Sequence, residues 1–224
     1  MDLILTGIVE AFRLLVTLDD EILRVTLLSL QISGSATLVS LVLGVSSGTA
    51  IALSEFPGKR LVVSAINTGM GLPPVVVGLF VTIFIWRNGP FGFLGMLYTP
   101  SAMVLAQAII ATPIVTGISF AAIQHLPDKL RLQILSLGAT RAQMVWMLMR
   151  EARLPILAAV MAGFGGVISE IGASIMVGGN IKGYTRVLTT ATVMETSRGN
   201  FDVAIALSII LLMLTFTIKI GRAS

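Results

Sequence analysis

The chain has 224 residues, of which 55% are hydrophobic and only 12% are charged, and its mean hydropathy is +0.97. Soluble domains carry about 25% charged residues, so this composition excludes an ordinary soluble protein and indicates an integral membrane protein. The net charge of +4 comes from basic residues that stand singly between apolar stretches, which argues against nucleic-acid binding. The absence of cysteine excludes disulfides and thiolate metal sites.

The apolar segments predict several membrane crossings. A bilayer core about 30 Å thick requires roughly 20 mainly apolar helical residues. Residues 1–20 have apolar positions at helical spacing with Glu10 and Arg13 between them, which predicts an N-terminal interfacial helix rather than a crossing. Five later stretches are long enough to cross: residues 25–53, 61–86, 101–124, 154–178 and 202–220. We therefore predict an all-α membrane protein with about five transmembrane helices in a single domain, residues 1–224.

The basic residues predict the orientation of the chain, because Lys and Arg favour cytoplasmic loops. Nine of the fifteen basic residues fall on the side that contains residues 125–153, and six fall on the other side. We therefore place the N-terminus outside and the C-terminus in the cytoplasm.

Prolines lie inside two of the predicted spans. Pro73 and Pro74 are adjacent in the second span, and Pro113 follows Thr112 in the third. Proline lacks the backbone donor and disfavours helix at the preceding residue, so we expect both helices to be interrupted. Freed backbone groups at membrane depth are tolerated only against protein or a water-filled cavity. A packing kink and a transport pathway both explain the pattern.

Residues 126–153 join the third and fourth spans and are too many for a turn. Pro127 suits the first turn of a helix, and Leu130, Ile134 and Leu137 follow at near-helical spacing. Gly138 can end one helix, since it has no Cβ. We predict cytoplasmic helices with a break near Gly138, which could lie on the membrane surface or dock a partner.

Several motifs resemble those of a known family. The residues Ser136, Leu137, Gly138, Ala139, Thr140 and Arg141, followed by Arg153, Leu154 and Pro155, resemble the signature loop of ABC importer permeases. The acidic-Ala-Ala triplet that opens this motif is replaced by residues 132–134. Residues 71–79 and 169–181 resemble molybdate-type permeases, and the continuation through 183–197 is most similar to the tungstate branch.

The resemblance implies a type I ABC importer permease in the inner membrane of a prokaryote. It implies a homodimer surrounded by lipid, two cytoplasmic ATPase subunits that dock on residues 136–141, and an extracytoplasmic oxyanion-binding protein. ATP and Mg would bind the ATPase, and this chain would hold no catalytic residue, cofactor or metal. The sequence has no G-x-x-x-x-G-K-[ST] phosphate loop, in agreement with that view. Tungstate is the substrate implied, with molybdate and sulfate as alternatives.

The same resemblance, together with residue chemistry, suggests site residues. Glu170 is an acidic residue inside a predicted span, which makes it a functional candidate. Because a carboxylate would repel a dianion, we expect Glu170 to be paired, protonated or structural, holding Ser169 or the turn at Gly172. The candidate pathway or gate residues are Pro73, Pro74, Thr112, Pro113, Ser169, Glu170, Gly172 and Ser174, and the candidate outer-loop residues are Asn180, Lys182 and Arg186.

Two other classes of protein remain as alternatives. An ATP-independent secondary transporter would usually show paired halves with corresponding broken helices, and no such repeat is evident here. A membrane scaffold or enzyme would need neither interrupted spans nor a docking loop. Replacing Gly138 by a bulky residue separates these classes, since only an ABC permease should lose both uptake and ATPase association while still inserting.

Overall fold

A computed structural model describes residues 6, 8–9 and 20–220 of the chain, with side chains through residue 217. The predicted interfacial helix at residues 1–20 lies almost entirely outside the described residues. Within the described part, all regular secondary structure is helical. The α-helices are α1 Asp20–Leu53, α2 Lys59–Met70, α3 Pro74–Ile85, α4 Pro100–Gln124, α5 Asp128–Ser136, α6 Arg141–Glu151, α7 Arg153–Ile168, α8 Gly172–Gly178, α9 Leu188–Ser197 and α10 Phe201–Ile220, with one short 3₁₀ turn at Gly92–Leu94.

Two of the described helices, α1 and α4, are each long and apolar enough to cross a membrane. Two further crossings result if each bent pair counts as one span: α2 with α3, and α6 with α7. The apolar part of α10, Phe201–Thr217, is shorter than these spans. The all-α fold is therefore confirmed, whereas the number of five crossings stays a prediction. The fourth predicted span, residues 154–178, is divided in the structure, because α7 ends at Ile168 and α8 begins at Gly172.

The two proline sites behave differently. At Pro73-Pro74 the predicted break is confirmed: α2 ends at Met70, and Pro74 is the first residue of α3. Proline suits a first helical position because the N–H it lacks would be unpaired there. The Pro73 carbonyl accepts the Val76 and Val77 N–H groups and so starts α3.

The predicted interruption at Pro113 is wrong, because α4 continues through it from Pro100 to Gln124. The Thr112 hydroxyl donates to the Ala108 carbonyl at 2.6 Å, and the Ser40 hydroxyl donates to the same carbonyl at 3.2 Å. The Thr116 hydroxyl bonds to the Thr112 carbonyl at 2.7 Å. Hydroxyl groups from α4 and from a neighbouring helix thus bond to backbone carbonyls around the proline, which is how membrane helices accommodate this residue.

The described residues divide into two compact units, and the prediction of one domain stays a prediction. The first unit comprises the described residues within 1–35, 73–107 and 165–224, and the second comprises 36–72 and 108–164. In the first unit, the start of α1 packs with α9 and α10 around Val25, Leu188 and Leu207. In the second, the end of α4 packs with α5 and α6 around Ile123, Ile134 and Leu148.

Helix α1 shows how the chain suits a membrane. Ser29, Ser33 and Ser40 are buried, whereas Leu27 and Leu38 are exposed. In lipid, apolar side chains can face outward at no cost and polar side chains must find partners inside. The Ser29 hydroxyl does so by bonding to the Val25 carbonyl at 2.6 Å and by accepting the Leu188 N–H at 2.9 Å.

Candidate functional site

Helices α5 and α6 form a hairpin, residues 126–153. Its two arms pack against each other and against the end of α4 in one hydrophobic cluster. Ile134 of α5 and Met144 and Leu148 of α6 are buried together with Ile123 of α4. These buried positions hold the two arms together, whereas Leu132 of α5 and Trp146 of α6 are exposed. Helix α5 begins after Pro127, as predicted, and the predicted break near Gly138 is confirmed because α5 ends at Ser136.

The tip of the hairpin is held in one shape by local interactions. Gly138 has φ of +84°, a left-handed conformation that costs other residues about 1–2 kcal/mol. Thr140 caps α6 by accepting the Gln143 N–H at 3.3 Å, while the Gln143 side-chain oxygen accepts the Thr140 N–H at 2.8 Å. This reciprocal capping box satisfies two backbone donors. The Ser136 hydroxyl bonds to the Gln133 carbonyl at 2.9 Å.

The same tip presents apolar surface outward. Leu137 is 85% exposed, and Arg141 at the start of α6 is exposed as well. A Cβ added to Gly138 would meet no atom of this chain within 4 Å. The left-handed backbone explains the glycine here, and the surrounding space is free for a partner to approach.

The predicted residues of the fourth span form a joint at the start of α8. Glu170 is half-buried, and its Oε1 accepts the Ala173 N–H at 3.0 Å. Its backbone carbonyl accepts the Thr189 hydroxyl at 3.1 Å. Gly172 lies against α3, since a Cβ there would stand 2.5 Å from Val75 Cγ2. The Glu170 carboxylate thus caps a helix end, where negative charge is favoured.

The candidate hydroxyls in this region are occupied by internal hydrogen bonds. Ser169 is exposed, but its hydroxyl donates to the Gly165 and Gly166 carbonyls at 2.8 and 3.1 Å. Ser174 is fully buried and accepts from Gln107 Nε2 at 3.2 Å, and Gln107 Oε1 in turn accepts from the Ser33 hydroxyl at 3.4 Å. The other candidates, Thr112 and Pro113, belong to the second unit. The assignment of these residues to a pathway or gate stays a prediction.

A polar stripe that the sequence analysis missed runs along α2 in the second unit. Arg60, Ser64 and Asn67 are all exposed, and their spacing of four and three residues places them on one helical face. None of the residues of α2 is buried. The spacing was visible in the sequence, and an intramembrane polar stripe is the signal that could have identified it.

The residues of this stripe line a cavity of about 860 Å³, here called the α2 cavity. Arg60, Ser64 and Asn67 line it together with Phe120 and Gln124 from the end of α4. Glu55 and Lys59 also line it, and Lys59 Nζ lies 2.9 Å from Glu55 Oε1 and 2.8 Å from the Ser54 carbonyl oxygen. The arrangement supplies side-chain donors to a space large enough for water and a small anion.

The predicted outer-loop residues lie in the first unit, within a compact loop between α8 and α9. Asn180 has a left-handed backbone, with φ of +51°, and its Oδ1 accepts the Thr190 hydroxyl at 2.9 Å. The Thr185 hydroxyl oxygen accepts the Ile181 N–H at 2.9 Å. Lys182 and Arg186 both contact Glu21 at the start of α1. The structure therefore brings these two cations together.

Comparison with known proteins identifies the family. The profile of the binding-protein-dependent transport system inner membrane component matches residues 40–221. The chain is 40% identical to a probable anion ABC transporter permease protein of Haloferax volcanii over 88% of each chain. It is 37% identical to a tungstate uptake system permease protein of Peptoclostridium acidaminophilum, over 98% of this chain and 96% of that one.

A solved structure confirms the type of fold. An inward-facing MetNI methionine ABC transporter matches with a TM-score of 0.75 at 19% identity, covering 90% of this chain and 92% of the matched chain. At that identity the likeness concerns the fold alone, and it agrees with the predicted type I importer-like architecture. By its sequence profile and its near-full-length relatives, the chain belongs to the family of binding-protein-dependent transport system inner membrane components.

Proposed function

We propose that this chain is the permease subunit of an ATP-driven importer of a tetrahedral oxyanion, with tungstate as the first candidate. The substrate is supported by near-full-length similarity to a tungstate uptake permease and to a probable anion permease. Two copies of the chain would stand in the inner membrane of a prokaryote, with the N-terminus outside and the C-terminus in the cytoplasm. A binding protein would deliver the oxyanion from outside, and two separate subunits would bind ATP and Mg and hydrolyse the ATP.

The observation that carries the ATP-driven mechanism is the rigid hairpin with Leu137 exposed at its tip. A helix that merely lay on the lipid surface would turn its apolar face toward the lipid. Here Ile134, Met144 and Leu148 face the inside of the hairpin, and Leu137 at the tip is its most exposed large apolar side chain, at 85%. A protruding apolar residue on a stiff support suits a groove on a protein partner. The hairpin can then transmit movement of an ATPase to α4 and α7.

The α2 stripe is the best candidate for part of the transport pathway. Most of helix α2 belongs to the predicted span 61–86, and lipid would not solvate Ser64 and Asn67 there. These side chains can donate hydrogen bonds to an anion, whereas the hydroxyls of Ser169 and Thr112 already donate to backbone carbonyls. The break after α2 at Pro73-Pro74 would allow α2 to tilt relative to α3 during transport.

The pathway assignment predicts different effects for two neighbouring residues of α2. Asn67→Leu removes a donor from the stripe, so we expect the rate of oxyanion uptake to fall several-fold. Thr68→Val is the control, because the Thr68 hydroxyl donates to the Ser64 carbonyl of its own helix at 2.9 Å, and uptake should change by less than about twofold. The measurement is initial uptake in proteoliposomes at equal amounts of inserted protein. Equal rates for both variants would contradict the assignment.

The proposed function as a whole is tested by reconstitution. The chain and its partner ATPase are placed in liposomes, the binding protein is supplied outside, and accumulation of tungstate is measured with ATP and with a non-hydrolysable analogue inside. Uphill accumulation should require ATP and the ATPase. Accumulation by this chain alone would contradict the proposal in favour of a secondary transporter. Titration of the binding protein with tungstate, molybdate and sulfate decides the substrate, and tightest binding of sulfate would overturn tungstate.

A further inference from the structure

The first unit contains a cavity of about 490 Å³ that the function described so far does not use. It is formed by the start of α1, the loop after α8, helix α9 and the start of α10. Its floor is apolar and includes Val25 and Leu207. We call it the basic cavity. Its charged lining residues are the cations Lys182, Arg186 and Arg198 and the carboxylates Glu21 and Glu195. The cavity therefore carries an excess of one positive charge.

Arg186 is the unusual member of this set, because only 8% of it is exposed. Its Nη1 lies 3.5 Å from Glu21 Oε1, which is long for a charged hydrogen bond. Its Nη2 contacts the Met194 sulfur at 3.3 Å, and a thioether is a weak acceptor. Its Nε is buried and has no hydrogen-bond partner among the described residues. A buried guanidinium needs a closely bound anion, and the contacts here compensate its charge only partly.

Arg198 differs, because its charge is satisfied nearby. Its Nη1 lies 3.1 Å from Glu195 Oε1, and Glu195 Oε2 also accepts from Asn200 Nδ2 at 2.7 Å. The side chain of Arg198 is half exposed. Arg186 and Lys182, by contrast, share one carboxylate, that of Glu21.

The Glu21 carboxylate lies between these two cations. Its Oε2 is 2.6 Å from Lys182 Nζ and its Oε1 is 3.5 Å from Arg186 Nη1. Glu21 is in the first turn of α1, and its side chain is 43% exposed. Its two oxygens occupy the positions that two oxygens of a small oxyanion would take. A dianion would bind both cations more strongly than a carboxylate of single charge does.

We propose that the basic cavity is a binding site on the permease itself for a tetrahedral oxyanion of double negative charge. Arg186 and Lys182 hold the anion once the Glu21 carboxylate has moved aside, and Glu21 competes with it for the site. The inference rests on the proposed function for the choice of oxyanion. In the predicted orientation the loop faces outward, so the site would receive the anion as the binding protein releases it.

The test is a calorimetric titration of the permease–ATPase complex with sodium tungstate, in the absence of the binding protein and at mildly alkaline pH. We expect saturable binding of one anion per permease chain. Arg186→Gln should weaken this binding by about tenfold or more, as expected for loss of a charged hydrogen-bond donor. Glu21→Gln should strengthen it, because the competing charge is removed. Arg87→Gln is the control, since Arg87 is exposed and lies outside the cavity.

The opposite effects of the two variants distinguish a binding site from a structural ion pair. If Glu21 and Arg186 only stabilise the fold, both variants should lower the thermal unfolding midpoint and neither should change the affinity for tungstate, which would overturn the inference. Lys182→Gln provides a second test if Arg186→Gln does not fold, because Lys182 is 66% exposed, and it should also weaken binding. Absence of saturable binding to the unmodified complex would overturn the site, even if ATP-driven uptake is normal. Binding without ATP-driven uptake would support the site and contradict the proposed function.

Discussion

The hairpin of the second unit and the basic cavity of the first unit present opposite kinds of surface. The hairpin places an exposed apolar residue, Leu137, on a stiff support. The basic cavity places a charged residue, Arg186, in a recess where nine-tenths of it is buried. Exposure to water is unfavourable for a leucine side chain, and burial is unfavourable for an arginine side chain. An exposed leucine is best satisfied by a protein groove, and a buried guanidinium by an anion, so the two regions indicate partners of different chemistry.

The largest effect is expected from Gly138→Leu, which tests whether the hairpin acts independently of the cavity. The left-handed backbone costs about 1–2 kcal/mol, and the new side chain would fill the space open to a partner. ATPase co-purification and uptake should fall by at least about tenfold, while the solubilised permease should still bind tungstate. Gly95→Leu is the matched control, because Gly95 also has a left-handed backbone, with φ of +59°, and open space around it. Loss of tungstate binding in Gly138→Leu would contradict the separation of the two regions.

A somewhat smaller loss is expected from Leu137→Asp. A charged side chain at the tip would be desolvated in an apolar groove, so association with the ATPase should weaken by about tenfold. Leu132→Asp tests whether the effect belongs to the tip, since Leu132 is also exposed but lies on the side of α5. Association is measured by titration of the purified ATPase against the permease in nanodiscs. Equal weakening by both substitutions would show that the tip is not the main contact.

Salt should separate the two regions without any substitution. Raising NaCl from about 0.1 M to about 1 M shortens the Debye length from roughly 10 Å to roughly 3 Å. The affinity of the basic cavity for tungstate should fall, because the attraction is electrostatic. Association of the ATPase with the hairpin should change little, because apolar contact is not screened. Parallel salt dependence of both affinities would contradict the comparison.

The smallest effect is expected from Thr140→Ala, which tests whether the capping box makes the tip of the hairpin rigid. Loss of the cap costs about 1 kcal/mol, and the thermal unfolding midpoint should fall by a few degrees. Thr217→Ala is the control, because the Thr217 hydroxyl donates to the Met213 carbonyl within its own helix. The measurement is differential scanning fluorimetry of the complex. An unchanged midpoint would indicate that the capping box does not stabilise the hairpin.

Local features of the chain predicted part of the structure. The break at Pro73-Pro74 and the end of α5 near Gly138 were predicted correctly, because two adjacent prolines and a left-handed glycine impose their effects within a few residues. The polar stripe of α2 was not predicted, although the spacing of Arg60, Ser64 and Asn67 is helical in the sequence itself.

Other features depended on contacts between distant residues. Pro113 was expected to interrupt α4, yet the Ser40 hydroxyl reaches the Ala108 carbonyl from another helix, and no local pattern indicates this contact. Ser174 joins Gln107 and Ser33 in a buried hydrogen-bond chain. Partners that lie about 70 residues apart in sequence are specified by packing, which a local pattern does not encode.

By itself, the sequence determined the membrane environment, the helical fold, the broken second span and the family, because composition, proline positions and motifs act locally or persist as residue identity. Only the tertiary structure distinguished the cations of the 179–201 segment. In the sequence Lys182, Arg186 and Arg198 are equivalent loop residues, whereas folding exposes Lys182, pairs Arg198 with Glu195 and buries Arg186 beside Glu21. Burial and charge compensation depend on which elements pack around a residue, and these elements, α1 and α9 among them, are far apart along the chain.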